Sequence, residues 1–271
     1  MDPDLLPPTL IAPGDAPHLV RRDARDTLGL HDKAHGHQLR DDLLEELHDL
    51  QARLWAEDER ALLLVLQGMD SAGKDGTIRR VFSGVNPQGV RVAGFTAPSD
   101  NELDRDYLWR VHQVVPRRGE LGIFNRSHYE DVAVVRVLDL VPESRWRPRY
   151  RHIREFERLL VEEGTTVVKV FLHISSDEQG ERLQARLDEP LKRWKFNRAD
   201  LDMRARWDDF TAAYEEAITE TSTESAPWHV VPADRRWVRD AVVAQLLVST
   251  LQTMDPQVPA ADPHLDDVVI T

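Results

Sequence analysis

Cysteine is missing from all 271 residues, which excludes disulfides and thiolate metal sites. Also missing is any apolar stretch near the roughly 18 residues that a membrane span requires. The first residues, MDPDLLPPTLIAPGDAP, place acids and prolines where a secretory signal carries a basic start and an apolar run. Basic charge is in deficit: 35 Lys and Arg stand against 48 Asp and Glu, for a formal net charge of −13. A field of that sign repels phosphate at long range, so neither nucleic acid nor membrane is an expected partner. What remains is 41% hydrophobic and 31% charged, enough to bury a core beneath a soluble surface, and the expected location is cytoplasmic.

The positive charge that exists is concentrated. Arg145 to Arg158 holds six arginines, and Arg182 to Arg198 holds six lysines and arginines. Residues 1–37 are rich in proline and polar groups and read as an extended arm. From Gln38 the pattern turns helical, with Leu39, Leu43, Leu47, Leu50 and Leu54 on one stripe that packs on the core or on a partner subunit. Ala61 to Gln67 is a continuous apolar run of the kind a strand buried on both faces requires.

Helices and strands then alternate. A helix over 73–85 precedes a strand at Val90–Phe95, and a helix at Glu102–Val115 precedes a strand at Leu121–Asn125. A helix at Pro148–Glu163, a strand at Thr166–Ile174 and a helix from Asp177 to Leu187 follow. The chain continues through a basic stretch, a long helix at Asp200–Thr221, a strand at Trp228–Pro232 and a helix at Arg235–Thr253. This is the pattern of an α/β fold with a parallel sheet and helices on both faces. Its domain runs over 38–254, with an acidic tail at 255–271.

GMDSAGK, from Gly68 to Lys74, fits the P-loop pattern G-x-x-x-x-G-K and lies between a strand and a helix. Glycines let the backbone curl so that the amides of Met69, Ser71, Ala72 and Gly73 turn inward, and the following helix start at Asp75, Gly76 and Thr77 adds its dipole. Lys74 supplies a full charge for the phosphoryl group in transit. Asp75 stands where ordinary P-loops carry Ser or Thr, and Asp70 lies inside the loop. Carboxylates facing a polyphosphate repel it unless a divalent cation lies between them. Mg²⁺, with Mn²⁺ as a substitute, is therefore expected, and Asp70 is its first-choice ligand. Asp75 is left between a phosphate-site role and capping the helix or binding nearby backbone.

A second cluster, Asn125, Arg126, Ser127, His128, Tyr129, Glu130 and Asp131, ends the strand at Leu121–Asn125. Ligands of open α/β sheets bind beyond such strand ends, so Arg126 is placed to meet phosphate. Asn125, Glu130 and Asp131 become candidates for holding a nucleotide or water on the cation, while His128 reads as a local anchor. DEPLKRWKFNRAD gathers Lys192, Arg193 and Lys195 around Trp194 within a lid over about 182–200. Such a segment closes over the transferring phosphate and excludes water. Arg79, Arg80, Arg117 and Arg118 are candidates for a phosphate channel, with surface arginine the alternative for each.

GMDSAGKDGTI, SGVNPQG, DYLWRVHQVVPRRG, FNRSHYEDV and PLKRWKFN together resemble the second family of polyphosphate kinases, over about residues 38 to 253. The resemblance implies a P-loop kinase fold like that of thymidylate kinase, with a five-stranded parallel sheet in the order 2-3-1-4-5 and a helical lid. It implies inorganic polyphosphate as donor, AMP, ADP or ATP as the nucleotide partner, with guanine nucleotides as an alternative, and a homo-oligomer, dimer or tetramer. Carried onto this chain, Asp70 and Lys74 match the family's loop aspartate and lysine, Arg126 and Asp131 its residues beyond the third strand, and Arg193 and Lys195 its lid cations. FNRSHYED with GKDG resembles class III, which phosphorylates both AMP and ADP. The expected reaction is in-line, reversible transfer to an already ionised phosphate oxygen, which needs no strong general base. An ATP-dependent nucleotide or small-molecule kinase and a regulatory nucleotide-binding P-loop protein are the alternatives.

Overall fold

A computed structural model describes residues 4–261. Strand β1 (Leu10–Ile11) and helix α1 (Lys33–Glu57) precede β2 (Ala61–Gly68), α2 (Lys74–Val81) and β3 (Val90–Gly94). Short helices α3 (Asp100–Leu103) and α4 (Trp109–His112) lead to β4 (Leu121–Asn125), α5 (Glu130–Val137), α6 (Glu143–Trp146) and α7 (Arg149–Glu162). Then come β5 (Thr165–His173), α8 (Ser176–Asp188), α9 (Ala199–Ala205), α10 (Trp207–Thr221), β6 (Trp228–Pro232) and α11 (Arg236–Met254). Among the described residues no helix is long and apolar enough to cross a membrane. The end of the acidic tail, 262–271, lies outside the described residues.

The strands form one sheet in the order β1-β6-β5-β2-β4-β3. The five expected strands are parallel and keep the order 2-3-1-4-5, counted from β2. The sheet is larger than expected by β1, which pairs antiparallel with β6 through Leu10 with His229 and Ile11 with Trp228. The N-terminal segment is thus a strap on the core: Leu5, Ile11, Leu19 and Leu30 are buried, and Ile11 O accepts from Ser222 Oγ at 2.7 Å. A two-residue strand leaves no alternation to read in the sequence.

The leucine stripe of α1 turns inward, with Leu39, Leu47, Leu50 and Leu54 buried in the same core as the apolar face of α11. Two expected helices are broken. The segment after β3 turns at Asp106, whose Oδ1 accepts from Leu108 N at 3.0 Å; side-chain capping of this kind competes with helix continuation. The expected long helix breaks at Arg206 (ψ 28°), because only α10 has a broad face to bury, with Phe210, Ala213, Tyr214, Ala217 and Ile218 in the core, whereas α9 has no fully buried residue. Helix α5 was not foreseen.

All the parallel strands deliver their loops to one edge. Leu66 pairs with Asn125, Gly68 with Leu172 and His173 with Pro232, so the turns after β2, β4, β5 and β6 gather there. Beneath that edge a fully buried polar group links three layers. Lys169 Nζ lies 2.6 Å from Glu157 Oε2 and donates to Thr221 O at 2.6 Å. Glu157 Oε1 accepts from Tyr129 Oη at 2.7 Å and faces His128 Nε2 at 3.4 Å. This pins the backbone that follows β4, and His128 is accordingly an anchor. Glu157→Ala, which strands the lysine, is expected to cost about 3–5 kcal/mol, and Lys169→Met with Glu157→Leu together less. Denaturant unfolding of the two variants checks the order.

Candidate active site

The loop between β2 and α2 is built by two constraints. Its backbone needs left-handed turns at Ser71 (φ 64°) and Gly73 (φ 104°), and its glycines are in close quarters. A Cβ on Gly68 would lie 2.8 Å from Leu172 O, and one on Gly73 would strike the Arg239 guanidinium. The loop's carbonyls are held by side chains. Lys74 Nζ donates to Gly68 O at 2.6 Å and Met69 O at 3.2 Å, and Gln179 Nε2 to Asp70 O at 3.0 Å. Arg182 Nη1 donates to Ser71 O and Ala72 O, both at 3.0 Å, and Arg239 Nη1 to Ala72 O at 3.1 Å. In a trans peptide the carbonyl and the next N–H point opposite ways. Holding the carbonyls outward therefore aims the amides of Ser71 and Gly73 into the concavity, beside the unbonded amides of the α2 N-terminus.

The charged groups at the mouth form one cluster. Arg126, itself left-handed (φ 63°), donates from Nη2 to Asp70 Oδ1 at 2.8 Å. Its amide bonds Leu66 O at 3.0 Å, fixing the turn after β4 to β2. Burial pulls the Lys74 ammonium below the ordinary lysine range and Arg126 adds to this, while Asp70, Glu130 and Asp75 oppose them. Burial also works against the Arg126 charge, but Glu130 and Asp70 outweigh it and hold the guanidinium above its usual value. Glu130 is raised by burial against the pull of Arg126 and Lys74. In the amide orientation that satisfies both ends, Gln67 donates to Glu130 Oε1 at 3.1 Å and accepts from Ser127 N at 3.1 Å.

Of the residues expected at the site, Gly68, Met69, Asp70, Ser71, Ala72, Gly73, Lys74, Asp75, Gly76 and Thr77 form the loop and the first turn of α2, although the Ala72 amide, expected to face inward, donates to Met69 O at 3.1 Å in a turn within the loop. Arg126 and Glu130 join them. Asp75 neither caps the helix nor binds backbone among the described contacts; its Oδ1 accepts from Asn125 Nδ2 at 2.7 Å. Asp131 is turned elsewhere, 3.3 Å from Arg110 and 3.6 Å from Arg149, and burial raises its carboxyl against both arginines. Arg80 pairs with Asp240 of α11 behind the loop, and Arg79 is exposed on α2. Arg117 and Arg118 are at the wrong end for a channel at this loop. Arg117 Nη2 is 2.8 Å from Glu120, in a turn tied to β2's start by Gly119 N donating to Arg60 O at 2.8 Å. Arg193 Nε donates to Leu187 O at 2.6 Å within the lid. Lys195 follows in the same turn, its side chain outside the described residues.

Sequence reading missed Gln179, Arg239 and Asp240, and placed Arg182 in the basic lid segment rather than behind the loop. Arg182 is buried, with Nη2 on Ala233 O at 2.8 Å and Asp234 O at 2.9 Å. One signal was available: Arg239 and Asp240 form a charge pair directly before the apolar run 241–244 of the helix Arg236–Met254, and a buried pair in such a setting needs a polar partner.

Gly73→Ala is expected to cost about 1–3 kcal/mol for the backbone strain alone and to abolish phosphate binding by displacing Arg239. Denaturant unfolding and titration with tripolyphosphate are the measurements. Wild-type values for both would show that the loop does not need this turn.

Residues 30–259 match the family described as Polyphosphate kinase 2 (PPK2). The chain is 60% identical over 228 residues to a Meiothermus ruber protein named AMP/ADP-polyphosphate phosphotransferase, covering 84% of this chain and 85% of that one. It is 46% identical over 243 residues to an ADP-polyphosphate phosphotransferase of Rhodopseudomonas palustris, covering 85% and 84%. The crystal structure of polyphosphate kinase 2 from Arthrobacter aurescens superposes with a TM-score of 0.90 at 44% identity, covering 94% of this chain and 91% of that one.

Proposed function

The chain belongs to the polyphosphate kinase 2 family, and from that premise we propose that it passes the terminal phosphoryl group of inorganic polyphosphate to both AMP and ADP. The observation that carries this reading is the amide-lined loop whose mouth holds Lys74 and Arg126 against Asp70 and Glu130. A phosphoryl group in transfer needs positioned cations more than covalent help, because its charge spreads over its outer oxygens.

In this reading the polyphosphate end lies on the loop amides, and Lys74 turns from the loop carbonyls onto phosphate oxygen. Arg126, released in part from Asp70, neutralises charge on the transferring group. Among the described residues no three or more His, Asp or Glu side chains converge as a metal cage. Asp70, with Glu130 near it, fits Mg²⁺, which commonly takes one or two carboxylates and fills its remaining positions with phosphate and water. A cation bound there would offset the charge of the phosphate oxygens. Asp131 acts through Arg110 and Arg149, holding both beside the ends of β3 and β4, where the acceptor's phosphates need cations. Arg193 and Lys195 contribute once the lid is closed.

The relative named for both AMP and ADP supports the dual acceptor, as does the Asn125–Asp75 contact of 2.7 Å. A carboxylate at position 125 would face Asp75 with like charge, so Asn125 and Asp75 belong together. The acidic, cysteine-free composition supports a cytoplasmic enzyme, and the family resemblance a homo-oligomer.

With Mg²⁺ and polyphosphate, AMP is expected to give ADP and ATP, and ADP to give ATP, followed by chromatography of the nucleotides. Lys74→Met is expected to lower kcat about 10²–10³-fold with Tm unchanged, while Arg117→Ala leaves kcat unchanged. Transfer from ATP to another small molecule, with no polyphosphate-dependent product, would overturn the donor assignment.

A further inference from the structure

Helix α9, which continues from the lid segment, is tied to the loop by a side chain that the reaction scheme leaves unused. Gln179 of α8 is buried and its amide is engaged at both ends. Its Nε2 donates to Asp70 O at 3.0 Å, and its Oε1 accepts from Arg204 Nη1 of α9 at 2.9 Å. Arg204 also donates to Ser176 O at 2.5 Å, at the start of α8. The crossing of the two helices is close because residue 180 is glycine: a Cβ there would lie 3.1 Å from Arg204 Nη2.

An amide has one donor end and one acceptor end. With a guanidinium, which only donates, against Oε1, the other end of Gln179 must present its NH₂ to Asp70 O. That carbonyl shares a peptide with the Ser71 amide, so a donor behind Asp70 O aims Ser71 N–H into the concavity. We propose that Gln179 and Arg204 are positioning residues that couple the seating of α9 to the orientation of the Asp70–Ser71 peptide, and so to the loop's affinity for the polyphosphate end. When α9 lifts, Gln179 loses the group that orients it, and the peptide loses its outer tether. Polyphosphate bound on the loop favours the seated lid by the same amount that the seated lid favours polyphosphate.

Arg182 and Lys74 restrain neighbouring peptides independently of α9, so the effect is confined to one peptide and is graded. Arg204 is only partly buried, so its removal spares the core.

The coupling rests on polyphosphate occupying this loop, and the test separates the two claims. Hydrogen exchange of the segment 69–73 is measured in the unliganded full-length protein, and tripolyphosphate and ADP binding by calorimetry, for wild type, Arg204→Met, Arg204→Lys and Gln179→Glu. Gln179→Glu keeps an acceptor for Arg204 but offers no donor to Asp70 O. In Arg204→Met and Gln179→Glu, loop exchange should quicken and tripolyphosphate affinity should fall about 5–10-fold, with ADP affinity unchanged. Arg204→Lys should recover part of both. Wild-type exchange and wild-type tripolyphosphate affinity in Arg204→Met, with its Tm retained, would overturn the coupling. Faster exchange in the variant, with no tripolyphosphate binding even by wild type, would support the coupling and overturn the donor site.

Discussion

A phosphate cradle works only if its peptides are held in fixed orientations, and in this chain most of that holding comes from outside the loop. The carbonyls of Gly68 through Ala72 each accept from Lys74, Gln179, Arg182 or Arg239. Glycine supplies the conformational freedom to curl, but freedom alone costs entropy and selects no orientation. The selection comes from donors on α8 and α11, helices that follow β5 and β6 in the chain. The parallel strand order therefore brings those donors to one strand end. Buried guanidinium groups are expensive unless every donor finds an acceptor, and outward-facing loop carbonyls are the acceptors. Loop and backing satisfy each other.

The same logic governs charge. The chain is acidic as a whole at −13, yet its site must receive a polyanion. Lys74 and Arg126 face Asp70 and Glu130 at the mouth, so the cluster is close to neutral before substrate arrives. A cluster of bare cations there would bind phosphate more strongly but would repel itself when buried. Carboxylates that hold the cations in place can release them to phosphate oxygen, keeping the site organised before transfer. Electrostatic preorganisation of this kind lowers the reorganisation needed at the moment of reaction.

How much of this was legible in the sequence depends on how local each signal is. The loop, the strand that feeds it and the strand ending in Asn125 could be read from contiguous residues, as could the strand order, through the resemblance of motifs spread along the chain. The helix stripe Leu39 to Leu54 was legible, although whether it faced core or partner was not; burial against α11 decides that. The backing of the loop was largely illegible because Gln179, Arg182 and Arg239 are 109, 111 and 167 residues from their acceptors, and nothing local distinguishes Gln179 and Arg182 from surface polar residues. The channel arginines failed for the complementary reason. Arg117 and Arg118 precede a strand, and in a parallel sheet that places them at the edge opposite to its ligand-binding end. Direction along the strand, rather than residue type, was the deciding variable.

The N-terminal strap shows how far the loop's support extends. Arg182 spans from the loop carbonyls to Ala233 O and Asp234 O in the turn after β6. That turn is fastened in its own right: Asp234 N donates to Ala24 O at 3.1 Å, and Asp234 Oδ2 faces Arg25 Nε at 3.3 Å. Asp234 also accepts from Ser175 N at 2.8 Å and Ser175 Oγ at 2.7 Å, where α8 begins. The strap, the turn after β6 and the start of α8 thus meet at one carboxylate, within one side chain of the P-loop. A segment that composition marks as an arm is in this fold part of the frame that keeps α8, and with it Gln179 and Arg182, in register with the loop. Its hydrogen bonds to that frame are mainly backbone or charge-assisted ones, and they add to the burial of Leu5, Ile11, Leu19 and Leu30 in the core. Those apolar residues stand at positions 5, 11, 19 and 30 with no helical or strand period, which explains why so polar and proline-rich a segment can be structural without carrying a recognisable hydrophobic pattern.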